Sequence, residues 1–245
     1  IGGRNCTSVV VLSDSALKCI SPDSTSSGSV EVRVRNKVNA PISVGNEEYS
    51  EASLTNGYTY SNTANICDTP GSWGSNFAAG TGANELDPYV ICSVAHLNNV
   101  RAIANTGSYF RLGDNLDLNS LTFAPLGSTS TRFNGNFNGD GHVIMNWTHS
   151  APSQTNIAFF GHSFGSFQIT NLGLVNVNVT GAGSTAGLVG LVEGGTNITS
   201  LISGVFVTGT VVGADYVGGL IGRKQGNHVN FNVVSSYFIG SVTAS

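Results

Sequence analysis

The chain has 245 residues, room for one or two domains, with 10% charged residues, 32 glycines and a formal net charge of −4. Globular proteins usually carry about a quarter charged residues, so the surface here must be built largely from Ser, Thr and Asn. A charge this small gives no basis for nucleic-acid binding, attraction to an anionic membrane or electrostatic steering. At 40% hydrophobic residues the chain is not of the disordered class, and no apolar run approaches the ~20 residues of a membrane span. Ile1-Gly2-Gly3 reads as an interior stretch, so an export signal is expected upstream.

Residues 1–60 read as short strands. Ser8-Val9-Val10-Val11-Leu12 and Ala16-Leu17-Lys18-Cys19-Ile20 flank a polar Ser13-Asp14-Ser15 turn, and Ser21-Pro22-Asp23 breaks the pattern. Val30, Val32 and Val34 alternate with Glu31, Arg33 and Arg35, the mark of a half-buried strand. A last strand runs from Leu54 to Tyr60.

The four cysteines, Cys6, Cys19, Cys67 and Cys92, form two sequence-local pairs without C-x-x-C spacing, and no histidine clusters with them in the sequence. Two disulfides, Cys6–Cys19 and Cys67–Cys92, are therefore expected, which places the chain outside the cytoplasm. Four buried thiols acting as small hydrophobes are the alternative.

The set Ile1-Gly2-Gly3, Cys6, Val9, Ser13-Asp14, Leu17-Lys18-Cys19, Pro22, Val30–Arg35 and Leu54–Tyr60 resembles the IPT/TIG immunoglobulin-like domain. The resemblance implies a β-sandwich in which a similarly placed cysteine pair is often bridged. The family's opening strands, before the Ile-Gly-Gly element, are missing, which would leave an open edge. Either they lie upstream in a longer chain or a neighbouring subunit donates a strand.

Residues 61–92 form a turn-rich connector, pinned by the expected Cys67–Cys92 bridge. Ser93 then reads as the N-cap of a helix carrying Val94, Leu97, Val100, Ile103 and Ala104 at helical spacing, stopped by Asn105-Thr106-Gly107. This helix, near 93–105, is expected to cap a stack of β-coils on its C-terminal side. Tyr109–Leu112, Leu116–Leu118 and Phe123–Gly127 read as strands of a first coil, and Phe133–Ile144 opens the next.

One phrase then recurs. Ala158-Phe159-Phe160-Gly161, Gly187-Leu188-Val189-Gly190 and Gly219-Leu220-Ile221-Gly222 end on glycines 29 and 32 residues apart (190 − 161 and 222 − 190). Each is followed by a second alternating beat: Val175, Val177, Val179, Gly181; Val205, Val207, Gly209; Tyr237, Ile239, Gly240. A period near 30 built from short strands predicts stacked coils, because one such unit cannot bury its apolar face alone. The phrases, with Asp87–Cys92 and the Phe133–Gly141 glycine run, resemble the GLUG-motif β-solenoids of bacterial surface proteins. The fold class expected is all-β: a partial immunoglobulin-like (IPT/TIG) β-sandwich over 1–60, a connector over 61–92, and a parallel β-helix or β-solenoid with a short capping helix over 93–245.

No catalytic constellation is evident. Asp114, Asp117, Asp140, Glu193 and Asp215 do not recur at matching repeat positions, as the paired carboxylates of a glycosidase would have to converge. Asp140, Glu193 and Asp215 read as turn residues. Asn134, Asn136, Asn138 and Asp140 lack the closing Glu of a calcium loop and suggest an asparagine ladder at solenoid corners. Trp73, Tyr89, Tyr109, Trp147 and Tyr216 suit core filling better than sugar stacking. The four N-x-S/T sequons, at Asn5, Asn146, Asn178 and Asn197, are accounted for by composition.

The expectation is a non-catalytic chain without metal or cofactor, exported to the bacterial surface or beyond. It would act as an adhesive or structural rod whose partner is a cell-surface protein, a glycan or further copies of itself. Two rivals are a subunit of an extracellular filament or sheath, and a carbohydrate-active β-helix enzyme.

Overall fold

The computed structural model describes residues 66–68, 73–74, 76–195, 198–227 and 230–244, together with the backbone of four strands between 7 and 60. Two compact units divide the chain, Ile1–Ala64 and Asn65–Ser245. In the first, Thr7–Ser13 pairs antiparallel with Ala16–Ile20, and Gly28–Lys37 pairs antiparallel with Tyr49–Tyr60. The expected strands are present, but as two separate two-stranded sheets, and an immunoglobulin-like sandwich is not shown. The facing of Val30, Val32 and Val34, and the expected Cys6–Cys19 bridge, lie outside the described residues.

The second unit is a β-solenoid of about four turns, with strands of successive turns hydrogen-bonded in parallel. The first sheet stacks Tyr89–Ile91, Tyr109–Leu112, Asn136–Asn138, Gln168–Thr170, Thr199–Ser203 and Asn230–Val234 in chain order. A second stacks Leu116–Asp117, Val143–Met145, Gly173–Thr180, Phe206–Gly213 and Tyr237–Ala244, and a third stacks Phe160–Phe164, Val189–Glu193 and Ile221–Gln225. From Asn136 onward the chain returns to the three sheets in the same order in every turn. The repeated phrases thus lie on top of one another, with Phe160 opposite Val189 and Val189 opposite Ile221.

Alternation sends every second side chain inward. Phe110, Phe137, Ile169 and Ile202 form one column, and Leu116, Ile144, Leu174 and Val207 a second. All eight are at most 5% exposed. The phrase-closing glycines form a column of another kind. A Cβ on Gly190 would meet the carbonyl oxygen of Gly161 at 2.7 Å, and one on Gly222 would meet that of Gly190 at 2.7 Å. Glycine recurs there because the next turn's backbone occupies the space a side chain needs.

The second beat does not stack as its spacing suggests. Leu174, Val207 and Phe238 are in register, but a shift between Leu174 and Val177 sets Val177 opposite Gly209 and Gly240. Asn176 takes a φ of 57° within that shift, so one extra residue is absorbed as a bulge. On the last described rung Tyr237 and Ile239 are 53% and 62% exposed.

The solenoid begins earlier than residue 93, since Tyr89–Ile91 already pairs with Tyr109–Leu112. Helix α1, Val94–Asn99, and the 3-10 turn Val100–Ile103 lie between those two strands in the chain. The Ser93 side chain accepts from the His96 amide, and Leu97, Val100 and Ala104 are fully buried in the solenoid core. The outer edge of Tyr89–Ile91 is not bare: Ala78 N donates to Val90 O and Val90 N donates to Ala79 O, both at 2.9 Å. This antiparallel strap and the Cys67–Cys92 disulfide (Cα–Cα 5.2 Å) close that end, as an edge requires. Phe123–Gly127 is no strand; its part is one bridge from Leu126 to Phe160.

An asparagine ladder exists, displaced from the expected run. Asn176 Nδ2 donates to Asn146 Oδ1 at 2.8 Å, and Asn146 Nδ2 donates to Asp117 Oδ1 at 2.9 Å, linking three rungs. Asn146 has φ 58°, a conformation Asn tolerates. Within the expected run, Asn138 Oδ1 accepts from Asp140 N and Asn171 Nδ2.

Gly190→Ala is expected to lower the melting temperature by about 4–8 °C through this overpacking. Gly195→Ala, whose Cβ would meet, among the described residues, Ile198 Cδ1 at 3.5 Å, should stay within about 1 °C; equal shifts in thermal melts would contradict the glycine column. Removing the Cys67–Cys92 bridge by Cys67→Ser and Cys92→Ser, which releases a loop of sequence separation 25, should cost about 3 kcal/mol in denaturant unfolding.

Candidate functional site

The outward face of the first sheet carries a groove. Tyr109, Asn136 and Gln168 are register partners on successive rungs, as are Arg111, Asn138 and Thr170. Their strand neighbours Phe110, Phe137 and Ile169 are buried beneath them. With Glu85 and Pro88 these residues enclose about 110 Å³, well under the several hundred of a pocket that engulfs a small molecule. Rungs ~4.8 Å apart and side chains ~7 Å apart along a strand make a two-by-three array roughly 7 by 10 Å.

The groove holds little net charge. Arg111 Nη1 lies 3.0 Å from Asp140 Oδ2, so its cation is compensated. Asp140, expected as a turn residue, does have φ 52° and gains this second role. No side-chain hydrogen bond to another described residue is made by Tyr109, Gln168 or Thr170; Gln168 is exposed and the other two are half-buried. The wall is ordered from within: Asp87 accepts from Thr81 N and Oγ1, Asn84 Oδ1 accepts from Leu86 N, and Gly82 N donates to Asp87 O.

A second cluster sits on the third sheet. His162 Nε2 lies 2.9 Å from Glu193 Oε2, and Arg132 Nε lies 3.5 Å from the same oxygen, with the guanidinium 5.0 Å over the Phe164 ring. Glu193 therefore ends a strand and binds a histidine, correcting the turn reading. His162 is 3% exposed, and its Nδ1 has no hydrogen-bond partner, so the neutral ring carries its proton on Nε2 and gives it to the carboxylate. Ser163 leaves the strand from the opposite face; its buried hydroxyl has no partner either.

The remaining candidates stay apart. Asp114 accepts from Asn115 N, and Asp117 holds Asn119 N and Asn146 Nδ2, the bonds that keep its pKa below the ordinary 3.8. No group of three metal-binding side chains occurs among the described residues. Trp147 is fully buried, packing edge-on to Phe159 and donating from Nε1 to Phe123 O. His96 is held by the backbone of the bridged cysteine: Cys92 N donates to His96 Nδ1 at 3.2 Å.

His96, His149 and His162 all have pKa values held below 6.5, burial being the first cause in each; for His162 the Glu193 carboxylate works against it. A folded pKa below the unfolded one means the fold favours the neutral ring. That stability is complete above pH ~6.5 and is lost as pH falls through the folded values. Unfolding free energies measured from pH ~7.5 to ~5 should decline with acid, and His162→Gln should flatten the slope. A pH-independent stability over that window would contradict it.

No family model matches the chain, and the relatives it resembles do not define a family for it. The chain is 33% identical over 126 residues to a "Putative Gly-rich membrane protein" of Evansella cellulosilytica, covering 49% of this chain and 14% of that protein. It is 30% identical over 145 residues to "Halomucin" of Haloquadratum walsbyi, covering 55% of this chain and 2% of that protein. The chain thus spans only a small part of either relative's length. A crystal structure described as a "putative immunoglobulin A1 protease" from Bacteroides ovatus aligns with a TM-score of 0.48 and 24% identity, over 67% of this chain and 60% of that one. The expectation of a non-catalytic chain is corrected by that description. At this level of likeness the neighbour supplies no argument for a protease activity here.

Proposed function

We propose that this protein is an exported surface protein whose solenoid serves as a rigid adhesive rod. The observation that carries the reading is the in-register stack, which repeats each outward position on every rung and so presents long, flat, nearly uncharged columns to a partner. A disulfide at the closed end fits an oxidising environment, and one relative is named a membrane protein. No helix among the described residues is long and apolar enough to cross a membrane. A GLUG-type solenoid following an IPT/TIG-like spacer remains our finer reading. It is supported by the Gly-Leu-Val-Gly and Gly-Leu-Ile-Gly phrases falling at one place in successive turns.

A second reading is a subunit of an extracellular filament or sheath assembled by strand exchange. Filaments of the purified chain in negative-stain electron microscopy would support that reading.

Beads coated with the 245-residue chain are expected to attach to cultured cells and to immobilised polysaccharide. Attachment should be lost when residues 85–245 are deleted. Undiminished attachment by the deleted chain would contradict the rod reading.

A further inference from the structure

The groove on the first sheet has a more specific chemistry than adhesion in general. We propose that the array of Tyr109, Arg111, Asn136, Asn138, Gln168 and Thr170 is a binding site for a neutral saccharide chain, laid along the rungs; the assignment rests on the adhesive-rod reading.

Four observations select that ligand class. The strands beneath the groove are hydrogen-bonded on both sides, so no free backbone edge is offered and a peptide could not add as a strand. Recognition must come from side chains, and these are three amides, a hydroxyl, a phenol and the Asp140-paired Arg111 guanidinium, groups that exchange hydrogen bonds with sugar hydroxyls. Tyr109, half-buried at one end, adds an aromatic face against which the apolar face of a pyranose can pack. Finally, the charges disfavour an acid. Arg111 is neutralised by Asp140, and the carboxylate of Glu85 borders the groove, so a uronic or sialic acid would meet repulsion without a free cation.

Size is consistent with this class. A length of roughly 10 Å over three rungs suits a disaccharide stretch of a longer chain. The small enclosed volume means that stretch is seated on the surface with its ends free to continue. One rung further, Leu201 and Ser203 replace Gln168 and Thr170 in the two columns, and the amide pattern stops. Because the 81–87 wall is already held by Asp87 and Asn84, binding costs little loop ordering. With few groups and shallow burial the site should be weak for a single chain and gain strength by repetition on a surface.

The test is titration of the intact 245-residue chain, by calorimetry or NMR, with neutral oligosaccharides (glucan, xylan, mannan and chitin series) and with oligogalacturonate and sialyllactose as acidic counterparts. At least one neutral series should bind with a dissociation constant of about 1 mM or tighter, and the acids should bind at least tenfold more weakly. Tyr109→Ala should weaken binding about tenfold. Gln168→Ala, at an exposed position where folding is not in question, should weaken it about threefold, while Leu201→Ala leaves it unchanged. Preference for the acids, no neutral binding at ~10 mM, or equal binding by wild type and Gln168→Ala would each overturn the assignment. Bead attachment separates the two claims: beads that still attach while no saccharide binds would sink the groove and leave the rod reading standing.

Discussion

Parallel pairing between successive turns is the constraint on which everything else in the solenoid depends. Once Phe160, Val189 and Ile221 are opposite one another, the period of two along each strand decides which side chains enter the core and which face water. A one-residue slip on any rung would exchange the two sets. Glycine at 161, 190 and 222 helps guard the register, because there the backbone of one turn approaches the next too closely for a Cβ, as it also does at Gly209 and Gly240. The Asp117–Asn146–Asn176 ladder does the same at a corner, using side-chain amides where the backbone turns through positive φ.

The same register generates the candidate site. Residues about 30 apart in sequence become neighbours ~4.8 Å apart, so Tyr109, Asn136 and Gln168 form a line that no local motif announces. His162 and Glu193 meet for the same reason, 31 positions apart in the chain. The two sites differ in kind. The groove is shallow, open and compensated in charge. The histidine is buried against a partly exposed carboxylate, and its proton is held by geometry. A surface so poor in net charge must select partners through shape and hydrogen bonding, with little help from long-range attraction.

Much of the architecture was legible because its physical causes are local. Ser93 before a helical spacing of Val94, Leu97 and Val100 pointed to α1, and the glycine-closed phrases pointed to stacked turns. Legibility failed where one residue changed the count. The bulge at Asn176 moved Val177 opposite Gly209, against the alignment suggested by counting valines. The start of the solenoid was hidden because Tyr89–Ile91 is only three residues long, and its partner lies beyond an intervening helix. The groove was hidden more deeply. Tyr109, Gln168 and Thr170 look like ordinary surface residues until the register aligns them, and Glu193 before two glycines is indistinguishable in sequence from a turn residue.

Disulfide trapping between rungs tests the stack directly. With the native Cys67–Cys92 bridge in place, the pair Asn178→Cys and Thr210→Cys, register partners on adjacent turns, should form a crosslink under mild oxidation. The pair Asn178→Cys and Ser241→Cys, two rungs and ~10 Å apart, should not. Efficient trapping of the second pair with failure of the first would contradict parallel stacking, and with it the account of both the rod and the groove.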